Sequence, residues 1–336
     1  MISRGNGSIN GEALVVIPKR IRSPVVMLGL VAFATLAADR ELIAAQAARM
    51  ELRKIADNVY VMQHPAGSSN SMFVVTAGGV VVWDGDIRTA DQVLAGIRRT
   101  TDKKIRYHII SHPAGDHATG TWHFREDRPV MIASRRQAIA LAGEELEEYT
   151  TRKVSNDPVY APYHNSQLLQ PDITFDGAMT LRFGGLTFQM TEEGAAHSRS
   201  DVTLYIPEKR ILAMGDLFKS EIHTGPGDTV YDTFRASKSF SEIVDKVIAR
   251  KLPVETYVPG HGPVHVGRGV ADLEELNRYF AAMRGEVSRM IAQGKTEQQV
   301  VAEFKTPAPF DKYAQVAGIS RFLPLYYRQL KAEGAR

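Results

Sequence analysis

From Asn58 onward the chain alternates between apolar and polar positions. Asn58-Val59-Tyr60-Val61-Met62 and Ser71-Met72-Phe73-Val74-Val75-Thr76 carry the two-residue period of strands. Ala77-Gly78-Gly79 supplies a turn into Val80-Val81-Val82-Trp83-Asp84, so the opening reads as an antiparallel meander entering a core. The period then lengthens. Asp91 to Arg99 predicts a short amphipathic helix, and Lys104 to Ile110 a strand, together a βαβ-like step. Arg135 to Tyr149 predicts a helix with acidic residues toward its end. Thr150 to Pro171 shows no period and carries Pro158, Pro162 and Pro171, which makes it a connecting loop or a lid.

Strand signals resume at Ile173-Thr174-Phe175, at Met179 to Phe183 and at Leu186 to Met190, the last two joined by Gly184-Gly185 as a hairpin turn. Val202 to Ile206 and Arg210 to Met214 follow, separated by Pro207-Glu208-Lys209. Val270 to Gln293 predicts a long amphipathic helix. Thr296 is placed to N-cap the next one, and a third runs from Ile319 to Lys331. Each half of the chain thus contributes strands followed by helices, the pattern of two sheets facing each other between helical layers. Periodicity alone establishes mixed α/β.

The 336 residues, 44% of them hydrophobic, suffice for a large core built as one big domain or two smaller ones. With 41 basic against 38 acidic side chains there is no cationic footprint for a nucleic acid. Cysteine is absent, which excludes disulfides, thiolate metal ligands and thiol nucleophiles. At the N-terminus Lys19, Arg20 and Arg22 precede an apolar run from Pro24 to Ala38, and Ala45-Gln46-Ala47 offers a small-x-small cleavage site. That is the layout of a secretory signal, with an apolar run short for a membrane span. The other readings are an anchor, or a leader ahead of a start at Met27. Residues 1–47 are expected to be a signal peptide or N-terminal extension of an exported protein, periplasmic or secreted, with no stable membrane insertion once the signal is removed.

The chemistry concentrates first in His112-Pro113-Ala114-Gly115-Asp116-His117, at the end of a predicted strand. Two imidazoles and a carboxylate so close together each need a polar partner, and these groups are the usual zinc ligands. Taken alone they do not decide the matter, because Asp116 also suits a helix cap. Three later stretches repeat the theme: Gly194-Ala195-Ala196-His197-Ser198, Ala213-Met214-Gly215-Asp216-Leu217-Phe218 and Val258-Pro259-Gly260-His261-Gly262. Each places one ligand-capable side chain beside glycine at the end of an apolar, strand-like run.

In order, spacing and flanks these motifs resemble the metallo-β-lactamase superfamily, whose hallmark is H-x-H-x-D-H followed by His, Asp and His in separate loops. The resemblance runs from about Val59 to the end. It implies an αββα sandwich with a C-terminal helical extension, divided as a metallo-β-lactamase-like domain over 48–268 and a helical extension over 269–336. It implies a metal-dependent hydrolase with one or two zinc ions. One ion takes the positions of His112, Ala114 and His197, the other takes Asp116, His117 and His261, and Asp216 bridges them. In such a site a metal-activated water attacks a carbonyl-type small molecule: a β-lactam, lactone, ester or thioester. Asp116 is the implied catalytic group, orienting the nucleophile and handling its proton.

This sequence departs from the pattern at Ala114, because a methyl group cannot coordinate. Four outcomes stay open. The first ion binds more weakly, with water or substrate in the gap. It is absent, leaving Asp116, His117, Asp216 and His261 around one ion. His112, His197 and Asp216 form a facial triad for ferrous iron, similar to the persulfide dioxygenases of the superfamily. Or the chain is an inactive binding protein. A zinc-type hydrolase is the expected reading, and oligomeric state stays open.

Around the motifs, Asp84 and Asp86 are expected to be turn residues, with bracing of the metal loop as the other role for Asp84. The loop His64 to Asn70 is glycine-rich, expected to move and to overhang the site, with His64 solvated. Lys219 and the loop His223 to Thr229 either line the pocket, with Lys219 meeting a substrate carboxylate, or are solvated. His108, His123, His164, His223 and His265 have no matching motif and are expected at surface or strand positions.

Overall fold

A seven-stranded and a five-stranded sheet carry the chain. The computed structural model describes residues 49–65, 68–226, 236–313 and 319–334, all within one compact unit, Leu42–Arg336. The expected signal segment, 1–47, lies outside the described residues, as do Ala66, Gly67 and positions 227–229 of the glycine-rich loop.

The first sheet runs in sequence order: β1 (Glu51–Ala56), β2 (Val59–Gln63), β3 (Ser71–Thr76), β4 (Gly79–Trp83), β5 (Ile105–Ile109), β6 (Val130–Ser134) and β7 (Ile173–Phe175). β2 to β4 form the expected antiparallel meander, and β1 pairs antiparallel with β2 at its edge. Helix α1 (Ala90–Thr100) then carries the chain into the parallel strands β5, β6 and β7. The second sheet, in the order β12-β11-β10-β9-β8, contains β8 (Ala178–Phe183), β9 (Leu186–Gly194), β10 (Asp201–Ile206), β11 (Ile211–Lys219) and β12 (Thr256–His261). Only the β11–β12 pairing there is parallel.

The two-residue period sorts side chains between layers. Met72, Val74, Val81 and Trp83 meet Leu204, Ile206, Ile211 and Ala213 in a core between the sheets. Their neighbours Phe73, Val80 and Val82 point the other way, onto Val93 and Ile97 of α1. On the second sheet Tyr205, Leu212 and Met214 face a cluster with residues of α6 (Ala236–Ala249), α7 (Ala271–Ala292), α8 (Glu297–Glu303) and α9 (Leu323–Gly334). The layers are helix, sheet, sheet and helix, as expected, with the C-terminal helices part of the outer layer. A one-residue slip in β4 or β11 would swap the two apolar sets between layers, so both faces fix the register.

Several elements differ from the pattern. β1 is charged and mostly half-buried or exposed, an edge strand without a hydrophobic run to announce it. β6, which follows two short helices, α2 (Gly115–Ala118) and α3 (Thr121–Phe124), is an addition to the elements the period predicts, and so is α6. The helix expected over Arg135 to Tyr149 is two: α4 (Arg135–Ala142) and α5 (Glu144–Val154). Gly143 between them has φ −114° and ψ −107°, outside the helical region, and Ser134 with Gln137 closes a capping box on α4. The aperiodic stretch begins inside α5 and continues as a 3-10 turn, Pro158–Tyr163. Thr296 caps α8 as expected, accepting from the backbone N–H of Gln299. Among the described residues no helix is long and apolar enough to cross a membrane.

Candidate metal centre

The six candidate ligands sit at or just beyond strand ends on one rim of the sandwich. His112, Asp116 and His117 follow β5, His197 lies between β9 and β10, Asp216 is near the end of β11, and His261 closes β12. Two glycines make the approach possible. Gly215 has φ +52°, and a Cβ on Gly260 would lie 2.1 Å from Asp216 Oδ1, so no other residue fits there without moving the carboxylate.

The chain brings all six together. Three overlapping groups have donor atoms mutually within 4.8 Å: His112/Asp116/His117, His112/His197/Asp216 and His117/Asp216/His261. One quartet is more regular than that. His117 Nε2 is 3.4 Å from His261 Nε2, 3.4 Å from Asp116 Oδ2 and 3.2 Å from Asp216 Oδ1. His261 Nε2 in turn is 3.3 Å from Asp116 Oδ2 and 3.2 Å from Asp216 Oδ1. These are five of the six edges of a tetrahedron. A tetrahedral zinc with bonds of about 2.0–2.1 Å demands edges of roughly 3.3 Å. The donor set fits such an ion, and Asp216 Oδ1 within it is buried without a hydrogen-bond partner, as is His112 Nε2 outside the quartet.

On the other side of Asp216 the arrangement changes. Oδ2 is 3.2 Å from His197 Nε2 and 2.9 Å from Lys219 Nζ. Lys219, at the end of β11, is mostly buried rather than solvated.

The electrostatics follow from packing carboxylates among imidazoles. Burial alone would lower His117 and His261, but Asp116 and Asp216 beside them win: His117 is held well above its ordinary value and His261 is raised to about 9. Burial would raise the Asp116 and Asp216 carboxyls, yet the surrounding cations hold both well below the usual range. His112 goes the other way. Burial, then the neighbouring imidazoles of His117 and His197, push it well below its ordinary value, so it stays a neutral donor.

A layer of hydrogen bonds aims these groups. Asp84 is fully buried, with Oδ2 2.9 Å from His117 Nδ1 and Oδ1 accepting from the Ser111 N–H at 2.6 Å. The turn reading of Asp84 is thus corrected: its φ of +57° is turn-like, but its carboxylate braces the metal loop. Asp86, also buried, pairs with Arg88. Ser111 Oγ meets His112 Nδ1 at 2.8 Å, which leaves Nε2 for the centre.

The sequence reading missed two further groups. Asp201 accepts from the backbone N–H groups of Ala196, His197 and Ser198 and so shapes the His197 loop. Asn70 donates to the carbonyls of Pro259 and Gly262, and Ser69 forms a β-bridge with His261. The described end of the overhanging loop is therefore strapped to the site. His64, expected in solvent, is 1% exposed.

The remaining histidines lie outside the cluster. His108 is buried on β5 beside Thr121 and Phe124, and His123 and His164 bond to backbone carbonyls. His223 is buried against Tyr279 rather than at a surface or strand position, and His265 joins Asp272 and Glu221.

An αββα sandwich with His/Asp donors converging at one rim defines a metallo-hydrolase type of scaffold. A model of the metallo-beta-lactamase superfamily matches residues 64–261, and the chain belongs to that superfamily. It is 23% identical over 198 residues to a metallo-beta-lactamase type 2 of Bacillus cereus, covering 58% of this chain and 68% of that protein. Among solved structures it is similar to an inverting sec-alkylsulfatase from Pseudomonas sp. (15% identity, TM-score 0.61), over 83% of this chain and 50% of the sulfatase, so it spans half the length of that enzyme. It is also similar to a metallo-beta-lactamase from Pontibacter korlensis (20% identity, TM-score 0.55), over 69% of this chain and 99% of that one.

Proposed function

We propose that this protein is an exported zinc hydrolase of small carbonyl substrates, with its ion held by Asp116, His117, Asp216 and His261. The observation that carries the reading is the near-tetrahedral spacing of those four donors, 3.2–3.4 Å along every edge quoted above. Four protein donors alone close a tetrahedral zinc, so one of them, Asp116 as the most open, would have to loosen for the ion to supply a Lewis acid and a water acidic enough to ionise near neutral pH. The chain's own residues do the rest. His117, locked by Asp84, presents Nε2 in one orientation. Asp216, nine-tenths and more buried, fixes the position of the charge. Asp116 is the most open of the donors, its side chain 27% exposed, and is the group placed to take a proton from attacking water and return it to the leaving group. Export rests on the Lys19-to-Ala47 pattern.

The test is metal analysis of the purified protein after chelation and reloading, joined to a screen of esters, lactones, thioesters and β-lactams with added zinc or ferrous iron. Zinc-restored hydrolysis is expected. Oxygen uptake with a persulfide would replace this reading by the iron one, and a folded protein silent on every substrate would place the chain among binding proteins. Sulfate esters belong in the screen, because the similarity to the alkylsulfatase takes in more of this chain than the similarity to the lactamases.

Two predictions arise here. Without the ion, His117 is held well above its ordinary value and His261 is raised to about 9, so near pH 6 both carry protons that an incoming ion must displace. Zinc affinity should therefore climb with pH from 6 to about 9, by about one to two log units per pH unit. Chelator competition across that range measures it, and a flat profile contradicts it. Secondly, Asp84→Asn tolerates the positive φ and keeps an acceptor for Ser111, but removes the charge behind His117. A loss of about 10–100-fold in zinc affinity is expected. An unchanged affinity would mean that Asp84 does not orient the ligand.

A further inference from the structure

Gly115 sits between Ala114 and Asp116, and a Cβ there would run into Arg152 Nη1 and come within 3.2 Å of the Tyr163 hydroxyl. Arg152, near the end of α5, is therefore seated on the ligand loop one residue from Asp116, the most open of the four donors. The rings of Tyr160 and Tyr163 hold its guanidinium carbon at 5.8 and 5.6 Å from their centres. Burial opposes the Arg152 charge, as does a second guanidinium nearby, Arg88, but Tyr163 and Glu148 outweigh both and hold the group above its ordinary value. Arg88 is likewise raised against burial, by Asp86 first and by Tyr163 and Asp116 after it. Two arginines thus share one flank of the centre, their side chains only 18% and 24% exposed.

Their hydrogen bonds leave donors over. Arg88 Nε reaches both oxygens of Asp86, at 2.9 and 2.8 Å, and that carboxylate is fully buried. Arg152 has five N–H groups and, among the described residues, spends them on two partners: Nη1 on the Tyr163 hydroxyl at 3.3 Å and Nη2 on Glu148. Glu148 lies four residues back on the same helix and is 47% exposed, the kind of ion pair that water and salt readily replace. The flank therefore holds two fixed cations against one fixed anion. We propose that Arg152, backed by Arg88, is an oxyanion subsite on the Asp116 side of the centre, taking a carboxylate or sulfate group of the substrate on the unused edge of its guanidinium. The proposal deepens the hydrolase reading, on which its part in turnover rests, by giving the substrate an anionic end.

Calorimetric titration with succinate and with inorganic sulfate, on chelated and on zinc-loaded protein at low ionic strength, is the test. The wild type is expected to bind one of the two, and which one tells carboxylate from sulfate. Arg152→Met should weaken that binding about tenfold or more in both states of the protein. Arg152→Lys, which keeps the charge and loses the fork, should fall between them. Glu148→Gln, which frees Nη2, should tighten binding about threefold, a direction that a purely structural role for Arg152 does not produce. Should Arg152→Met lose the far-ultraviolet signature of the fold, Arg152→Gln carries the same test. No binding of either anion by the wild type, or affinities unchanged in Arg152→Met and Glu148→Gln, overturns the proposal. In turnover, Arg152→Met should raise KM about tenfold more for an ester with an anionic tail than for its neutral isostere, and equal changes for the two overturn the substrate role. A protein that turns over neither ester defeats the hydrolase reading, while the titrations still decide the subsite.

Discussion

Asp216→Ala is expected to strip the protein of its metal and abolish turnover. Tetrahedral zinc sites bind with about 10–16 kcal/mol, so the share of one donor in four is about 3 kcal/mol, or roughly 10²-fold in affinity. Asp216 carries more than that share. Its removal deletes one of the two negative charges in the quartet and leaves the Lys219 ammonium facing the site without its carboxylate. The variant should lose roughly 10³-fold or more. His261→Ala removes a neutral donor that is 14% exposed, where water can fill the gap, and should lose about 10²-fold. Competition titrations on both variants, with circular dichroism as the folding control, make the comparison. Equal losses would argue that Asp216 is an ordinary ligand rather than the carboxylate that links His117 and His261 with His197.

The candidate ligands are legible in the sequence because each lies in a local signature: an apolar run and a glycine beside three donors in the first motif and one donor in each of the three later ones. Mixed α/β is legible from alternation, with Val80-Val81-Val82 and Ile211-Leu212-Ala213 sending successive side chains to opposite faces, whereas the αββα order is legible only through the resemblance carried by the motifs. What escapes depends on contacts between distant segments or on direction. Asn70 reaches carbonyls some 190 residues away, and nothing in its own neighbourhood announces that. Asp201 has a weaker local sign, an acidic residue shortly after Ser198, the spacing with which a carboxylate can gather loop N–H groups. Asp84 is visible as a turn residue, but not that its carboxylate points back to His117. Lys219 is visible as a charge near the site. Whether it faces solvent, substrate or Asp216 depends on the strand twist at the end of β11, which one-dimensional pattern does not contain.

Ala114 takes on a different meaning in this setting. Read along the chain it is a missing ligand. In space it leaves His112 and His197 as the donors grouped with Asp216 beside a lysine whose ammonium contacts Oδ2. The opposite side keeps a full quartet, so the centre is depleted asymmetrically rather than degraded throughout.

In the proposed hydrolase Asp116 is the catalytic group, and Asp116→Asn is the substitution expected to separate binding from turnover. The amide keeps an oxygen where Oδ2 lies, 3.3–3.4 Å from His261 and His117, so the tetrahedral spacing survives. It removes a charge from the quartet, which lowers zinc affinity, but less than Asp216→Ala because Asp116 is partly solvated. What it cannot do is accept a proton. Burial would raise the Asp116 carboxyl, but His117 and His261 hold it well below its usual range, so near neutral pH it is available as a base. A positioned general base contributes about 10²–10⁴-fold, and kcat should fall by that amount with KM little changed, measured at saturating zinc. A variant with full zinc and kcat within about threefold of wild type would move the proton to another group, and the choice of Asp116 over its neighbours would fail.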